Sequence, residues 1–273
     1  MLLIYGKWKV GSAVAKLCES RGISYEIRDD SDTPVSFDAY DTIIPSPGVP
    51  SSHDVYKTGK VKSELDFAYE FLPANFTIIA VTGTDGKSTT SWLLYQLLLA
   101  EFGSEKVYLS GNFDIPFSEM VRMILEKWQK RGYIVVEVSS FMAYSLYSFR
   151  PHYSIFTNFK ADHLNWHKDL QDYLDSKMRV IESAQKGSVV NAQILEFAKQ
   201  NHLKIRIPEN VRIFGERKKK SEEGKIRKDV VIGDDIIISW RRKYKLSETQ
   251  FSGAHNAMNI LASTLITNMM KIC

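Results

Sequence analysis

Cysteine is almost missing: the 273-residue chain has two, Cys18 and Cys273, too few for a disulfide framework and without metal-ligand spacing. A reducing, cytoplasmic setting is expected of such a chain. No apolar run approaches bilayer-spanning length, and the start, Met1 to Gly6, reads as a short strand without a basic leader. Membrane insertion and export are therefore not expected. Neither sign of charge dominates, since 36 Lys and Arg are interspersed with 32 Asp and Glu for a net +4, so no nucleic-acid partner is implied. The densest basic run, residues 217–220, precedes Glu222 and Glu223 and reads as a solvated loop between strands. With 44% hydrophobic and 25% charged residues the chain matches ordinary folded proteins, and its length favours two domains.

The pattern along the chain predicts an α/β protein: a small Rossmann-like domain over residues 1–74, then a P-loop central domain over 75–273 with a mostly parallel sheet. Residues 2–5 read as a strand, Gly6 to Gly11 as a turn, 11–20 as a helix and 23–27 as a second strand. This start places Gly11 and Ser12 where helix amides can meet a diphosphate, and Asp29 and Asp30 at the end of the second strand. A plain structural turn explains the two glycines equally well, because a dinucleotide fingerprint needs three. Ser46-Pro47-Gly48 ends a third strand in a rigid turn, and residues 73–75 look like a linker. Further strands are predicted at 107–110, 133–138, 153–158 and 188–191, helices at 116–130, 169–184 and 192–200, short strands over 204–246 and a last helix at 254–270.

The strongest local feature is Thr82-Gly83-Thr84-Asp85-Gly86-Lys87-Ser88-Thr89, with Thr90 following, between an apolar strand and a helix carrying Trp92, Leu93, Leu94, Leu97 and Leu98. Glycines let the backbone wrap an anion with its N–H groups inward, and the helix dipole favours negative charge. Lys87 can neutralise outer phosphates, and Ser88 or Thr89 can offer a hydroxyl to Mg²⁺, which makes ATP the expected ligand. The structural alternative is a glycine turn capped by Ser88.

The octapeptide resembles the ATP loop of the Mur ligase family, whose variant also lacks an early glycine. Ser110-Gly111-Asn112, Val136 to Phe141 with Glu137, Asp162-His163-Leu164 with Trp166-His167, Tyr173 to Lys177, and Ser252 to Asn256 with Asn259 occur in the family's order. The short first unit, Ser46-Pro47-Gly48 and Ser63-Glu64-Leu65 look most like the D-glutamate-adding branch. The resemblance implies ATP-driven phosphorylation of the carboxylate of UDP-N-acetylmuramoyl-L-alanine, then attack by the amine of D-glutamate. It implies one Mg²⁺ at Ser88 and Glu137, and a second at His163 and Lys177, the latter as a carbamate. Asn112, His163, Gly11, Ser12, Asp29, Asp30, Ser46, Pro47 and Gly48 would meet the UDP-substrate. Asn256 and Asn259 would lie near adenine or ribose. Taken without the resemblance, Glu137 could cap the next segment, Asp162 could cap a turn, Asn256 and Asn259 could cap the last helix, and Lys177 is an ordinary helix lysine.

The family's third, amine-binding domain finds no counterpart in the sequence, so ligation by these residues alone is expected to be weak or absent, and two expectations stand side by side: a truncated or interrupted gene product, or half of a split enzyme partnered by a separately encoded C-terminal domain. The competing expectation is a regulatory nucleotide-binding module or ATPase derived from such a ligase. Folylpolyglutamate synthase shares the loop, but its first domain would differ from the UDP-binding unit expected here.

Overall fold

The computed structural model describes residues 1–32, 35–216, 230–232, 236–239 and 242–272. The basic run at 217–220 lies outside the described residues. Strands β1 (Leu2–Tyr5), β2 (Tyr25–Arg28) and β3 (Thr42–Pro45) form a parallel three-stranded sheet in the order β2-β1-β3. Helix α1 (Lys9–Arg21) crosses between the first two and ends at Gly22, whose φ of 65° suits a residue without Cβ. The helix begins two residues earlier than its pattern suggested. Gly11 therefore sits inside its first turn, where an added Cβ would lie 2.0 Å from the Gly6 carbonyl oxygen. That close approach accounts for the glycine without any ligand.

A second sheet follows, built on β4 (Asn75–Thr82), β5 (Val107–Gly111), β6 (Arg131–Glu137), β7 (Tyr153–Phe156), β8 (Gly187–Asn191) and β9 (Val211–Glu216). These run parallel in the order β9-β8-β7-β4-β6-β5, and β10 (Val230–Ile232), β11 (Ile236–Ser239) and β12 (Arg242–Lys245) extend the β9 edge. The β10-β11 and β11-β12 pairs are antiparallel. The central strands are buried on both faces, which is why Ile78-Ile79-Ala80-Val81 reads as a continuous apolar run rather than an alternating one. Helices α3 (Lys87–Phe102), α4 (Phe117–Glu126), α5 (Ser140–Ala143), α6 (Leu170–Glu182), α7 (Ala192–Gln200) and α8 (Ala254–Met269) cover the sheet. On α3 the buried residues are Thr90, Ser91, Leu94 and Leu98, whereas Trp92 and Leu97 are exposed.

Asn75, expected in a linker with residues 73 and 74, is already the first residue of β4, and the hydrophobic core runs past this junction. One cluster runs from Ile4, Val14 and Leu17 through Leu65 and Phe67 to Phe76, Phe117, Val121 and Phe149. Its bridge is α2 (Glu64–Tyr69), capped by Ser63, whose hydroxyl accepts from the Asp66 amide at 3.0 Å. The Asp66 carboxylate in turn accepts from the backbone amides of Tyr147, Ser148 and Phe149 at 2.9, 2.8 and 2.6 Å. These charge-assisted bonds fasten the first unit to a loop of the second. No helix among the described residues is long and apolar enough to cross a membrane.

Candidate active site between two clefts

Open parallel sheets present ligand groups beyond the carboxyl ends of their strands. At that end of this sheet, β4 runs into the loop 83–86, and α3 begins at Lys87 with Gly86 (φ 76°) before it. No side chain caps α3, so Ser88 is not a cap and the first-turn amides face the loop. An added Cβ at Gly83 would fall 1.9 Å from the Thr157 hydroxyl oxygen, and one at Gly86 2.7 Å from the Asn259 side-chain oxygen. Lys87 Nζ donates to the Thr84 carbonyl at 2.8 Å.

The loop is clamped by residues that sequence reasoning missed. Asn158 accepts from the Asp85 amide and donates to its carbonyl, both at 2.8 Å, while the Thr157 hydroxyl donates to the same carbonyl at 2.6 Å. Lys160 pairs with the Asp85 carboxylate at 2.8 Å and holds that carboxyl below its ordinary range. Tyr173 on α6 meets the Thr84 hydroxyl at 3.1 Å. For Thr157, Asn158 and Lys160 the position just after β7 was the available signal, because strand ends are where such groups gather.

Glu137 ends β6, beside Val81 on one flank and Gly111 on the other. It is 1% exposed; Oε1 accepts from the Asn112 side-chain nitrogen at 2.9 Å, and buried Oε2 has no partner. Ser139, not Glu137, caps α5, since its hydroxyl accepts from the Met142 amide. An unpartnered carboxylate oxygen in a buried position is costly unless a ligand or cation satisfies it. Among the described residues no three His, Cys, Asp or Glu side chains converge to hold a metal unaided. A cation at Glu137 would therefore complete its shell with hydroxyl and phosphate oxygens, the usual manner of Mg²⁺. The donor set fits.

Lys177 is 1% exposed on α6, with Nζ donating to the Gly83 carbonyl at 2.6 Å and lying 4.8 Å from the Tyr173 ring centroid. Burial, reinforced by the neighbouring Lys87 charge, pushes its amine well below the ordinary lysine pKa; Asp162, Glu137 and Asp85 oppose this weakly. His163 has φ 54°, and its ring lies 4.8 Å from Phe141 and 5.8 Å from Tyr173. Asp162 does serve as a local cap, accepting from the His163 amide at 2.8 Å. The His163 carbonyl accepts the His167 amide at 2.9 Å. Buried His167 then joins Asp172 through Nδ1 and Ser140 through Nε2, both at 2.9 Å, tying the His163 loop to α6 and α5. Burial pushes its imidazole below the ordinary range, and Asp172 opposes that.

Two clefts lie among these elements, one lined by Asn112 and the other by Asp85 and Gly86 of the phosphate loop. One, of about 530 Å³, lies between the sheets and is lined among others by Tyr5, Trp8, Lys9, Asp29, Asp30 and Asn112. Ser46, Pro47 and Gly48 also line it; Gly11 and Ser12 do not, and the Ser12 amide is spent on the Trp8 carbonyl at 2.9 Å. Asp30 is held by the Tyr5 hydroxyl and by His53 at 3.2 Å. The other cleft, of about 450 Å³, is lined by Asp85, Gly86, Lys160, Asn191, His255 and Asn259 among others. Asn256 is not brought into it: its amide turns back to the Ser252 carbonyl at 2.9 Å. Neither Asn256 nor Asn259 caps α8, which has Gly253 before it and no side-chain cap.

Residues 81–267 match the model of the Mur ligase middle domain. The chain is 35% identical over 275 residues to the UDP-N-acetylmuramoylalanine–D-glutamate ligase of Aquifex aeolicus, covering 97% of this chain and 60% of that protein. It is 32% identical to the enzyme of the same name from a Hydrogenobaculum species, covering 99% and 62% respectively. The chain thus spans about three fifths of the length of these relatives. Its fold is similar to the UDP-N-acetylmuramate:L-alanyl-gamma-D-glutamyl-meso-diaminopimelate ligase of Neisseria meningitides, with a TM-score of 0.56, 14% identity and coverage of 98% of this chain and 93% of that one. It is also similar to the MurF ligase of Thermotoga maritima in complex with ADP, with a TM-score of 0.51, 16% identity and coverage of 100% and 60%. The chain belongs to the Mur ligase family.

Proposed function

We propose that this chain carries the ATP and UDP-substrate sites of a ligase that adds D-glutamate to UDP-N-acetylmuramoyl-L-alanine, in the cytoplasm, during peptidoglycan precursor synthesis. The observation that carries this reading is the placement of Glu137. Its buried, unpartnered oxygen belongs to the end of β6, between β4, which runs into the phosphate loop, and β5, which runs into Asn112; Asn112 lines one cleft, and Asp85 and Gly86 of the loop line the other.

In this reading residues 75–273 hold ATP, with Gly83, Thr84, Asp85, Gly86, Lys87, Ser88, Thr89 and Thr90 around the phosphates and Asn259 toward the nucleoside. Lys87 would exchange its bond to the Thr84 carbonyl for phosphate oxygens. Residues 1–74 hold the UDP moiety, with Asp29 or Asp30 at the uridine and Ser46 to Gly48 beside it. Asn112 and His163 direct the substrate's carboxylate toward the terminal phosphate of ATP. Ser88 and Glu137 would hold one Mg²⁺, and His163 with Lys177 a second; when bound, these ions neutralise the charge gathering between carboxylate and phosphate. Burial favours the neutral form of the Lys177 amine, and that form can add to CO₂, losing a proton to give a carbamate whose oxygens suit that second site.

The carboxylate oxygen attacks the terminal phosphorus, the bond to ADP breaks, and an acyl phosphate forms. The amine of D-glutamate then displaces phosphate, leaving the amide. Positioning does most of this work, and the clamp of Asn158 and Thr157 on Asp85 keeps the loop from moving. The full-length protein is to be incubated with ATP, Mg²⁺, D-glutamate and substrate bearing ¹⁸O in its carboxylate. The expected result is ¹⁸O in the released inorganic phosphate; D-glutamate-dependent ADP release with unlabelled phosphate would contradict the acyl-phosphate route.

A further inference from the structure

The cleft between the two sheets has an unexpected charge balance for a site meant to take a diphosphate. Among the described residues lining it, Asp29, Asp30, Glu64 and Asp114 are acidic and Lys9 is the one Lys or Arg. Most of these carboxyls already have partners: Asp29 pairs with Lys7 at 3.3 Å, Asp30 is held by Tyr5 and His53, and buried Glu64 accepts the Ser118 amide. Burial raises the Glu64 carboxyl, which favours its neutral form. What remains at the mouth is Lys9 paired with Asp114, Nζ to Oδ1 at 3.0 Å.

That pair joins opposite walls. Lys9 is the first residue of α1 in the first unit, and Asp114 lies in the loop after β5 in the second, 105 residues away. Both side chains are largely exposed, at 65% and 74%, so the pair is weak and open to exchange. Helix α1 has no side-chain cap, so no side chain occupies its first-turn amides either.

We propose that the Lys9–Asp114 pair is an exchangeable latch across the cleft, in which Asp114 holds the lysine that the ligand's diphosphate takes over on binding. The inference rests on the reading of this cleft as the UDP-substrate site. A diphosphate carries more negative charge than one carboxylate and can reach both Lys9 and the helix start. Asp114 therefore competes with the ligand and lowers its affinity, and releasing it frees the loop that carries Asn112 toward the reaction centre.

Calorimetric titration of UDP and of uridine into the native protein and into Asp114→Asn, Lys9→Ala and the double variant tests this, with thermal melts confirming that each is folded. Asp114→Asn is expected to tighten UDP about two- to fivefold, the range of an exposed ion pair, and to leave uridine unchanged. Lys9→Ala weakens UDP, and in its background Asp114→Asn has no further tightening effect. UDP binding that Asp114→Asn leaves unchanged or weakens would remove the latch alone, as would equal tightening of uridine or a full effect persisting without Lys9. Failure of the native protein to bind UDP at all would remove the cleft assignment and the latch together.

Discussion

Replacing Lys177 by Met separates what this residue costs the fold from what it does. Methionine retains much of the volume and none of the charge, so the variant loses the 2.6 Å bond to the Gly83 carbonyl but escapes the burial of an amine. The lost bond is worth about 0.5–1.5 kcal/mol. Against it stands a pH-dependent term. Because the folded-state pKa is depressed below the unfolded value of 10.5, the unfolded chain binds the extra proton between those limits, and native stability rises with pH across that window. Going down in pH from 10.5 to the folded-state pKa, the native protein loses about 1.4 kcal/mol per unit relative to the variant. The loss levels off below the folded-state value. Each such step corresponds to about 2–4 °C in Tm for a chain of this size class. Melting curves of both proteins in CO₂-free buffer from pH 6.5 to 10 should therefore cross: Lys177→Met is the less stable near pH 10 and the more stable near neutrality. Added bicarbonate should raise the Tm of the native protein only, since a carbamate can form on Lys177 alone of the two. A variant less stable by the same margin throughout would refute the neutral, buried amine.

Lys87→Ala should weaken ATP binding about 10- to 100-fold in a calorimetric titration with Mg²⁺, the loss expected for charge-assisted bonds to phosphate, and equal affinities would remove its assigned role. Gly83→Ala places a methyl group 1.9 Å from the Thr157 hydroxyl oxygen at a φ of 154°, so it should displace the loop. At least a tenfold loss of ATP affinity is expected, about 1.4 kcal/mol, and native affinity would show that the loop's position is not decisive.

The fold and the phosphate loop were legible because their signals are local. A buried parallel strand, a glycine loop and a helix follow one another within residues 75–102. The meeting of the two units was not, since sequence shows that Leu65, Phe67, Phe117 and Phe149 are apolar but not that they pack into one core. Without the resemblance Lys177 read as an ordinary helix lysine, and only the burial of its neighbours Tyr173, Leu174, Met178 and Val180 shows which way that part of α6 faces. Glu137 could be placed from its strand end, whereas Asn158 and His167 act through partners 73 and 27 residues away, to which no spacing rule points. Gly11 shows how one residue type carries two readings: its contact with Gly6 explains the glycine by packing alone, a contact that no sequence pattern reveals.

The central claim is that one chain holds ATP in the cleft beside the phosphate loop and the UDP-substrate in the cleft lined by Asn112. It is tested most directly by titrating UDP-N-acetylmuramoyl-L-alanine into residues 1–273, first alone and then saturated with a non-hydrolysable ATP analogue and Mg²⁺. The account predicts a stoichiometry of one in both titrations, because the two ligands occupy separate clefts. Binding of the ATP analogue with no binding of the UDP-substrate, or displacement of one by the other, would contradict it and leave only a nucleotide-binding module.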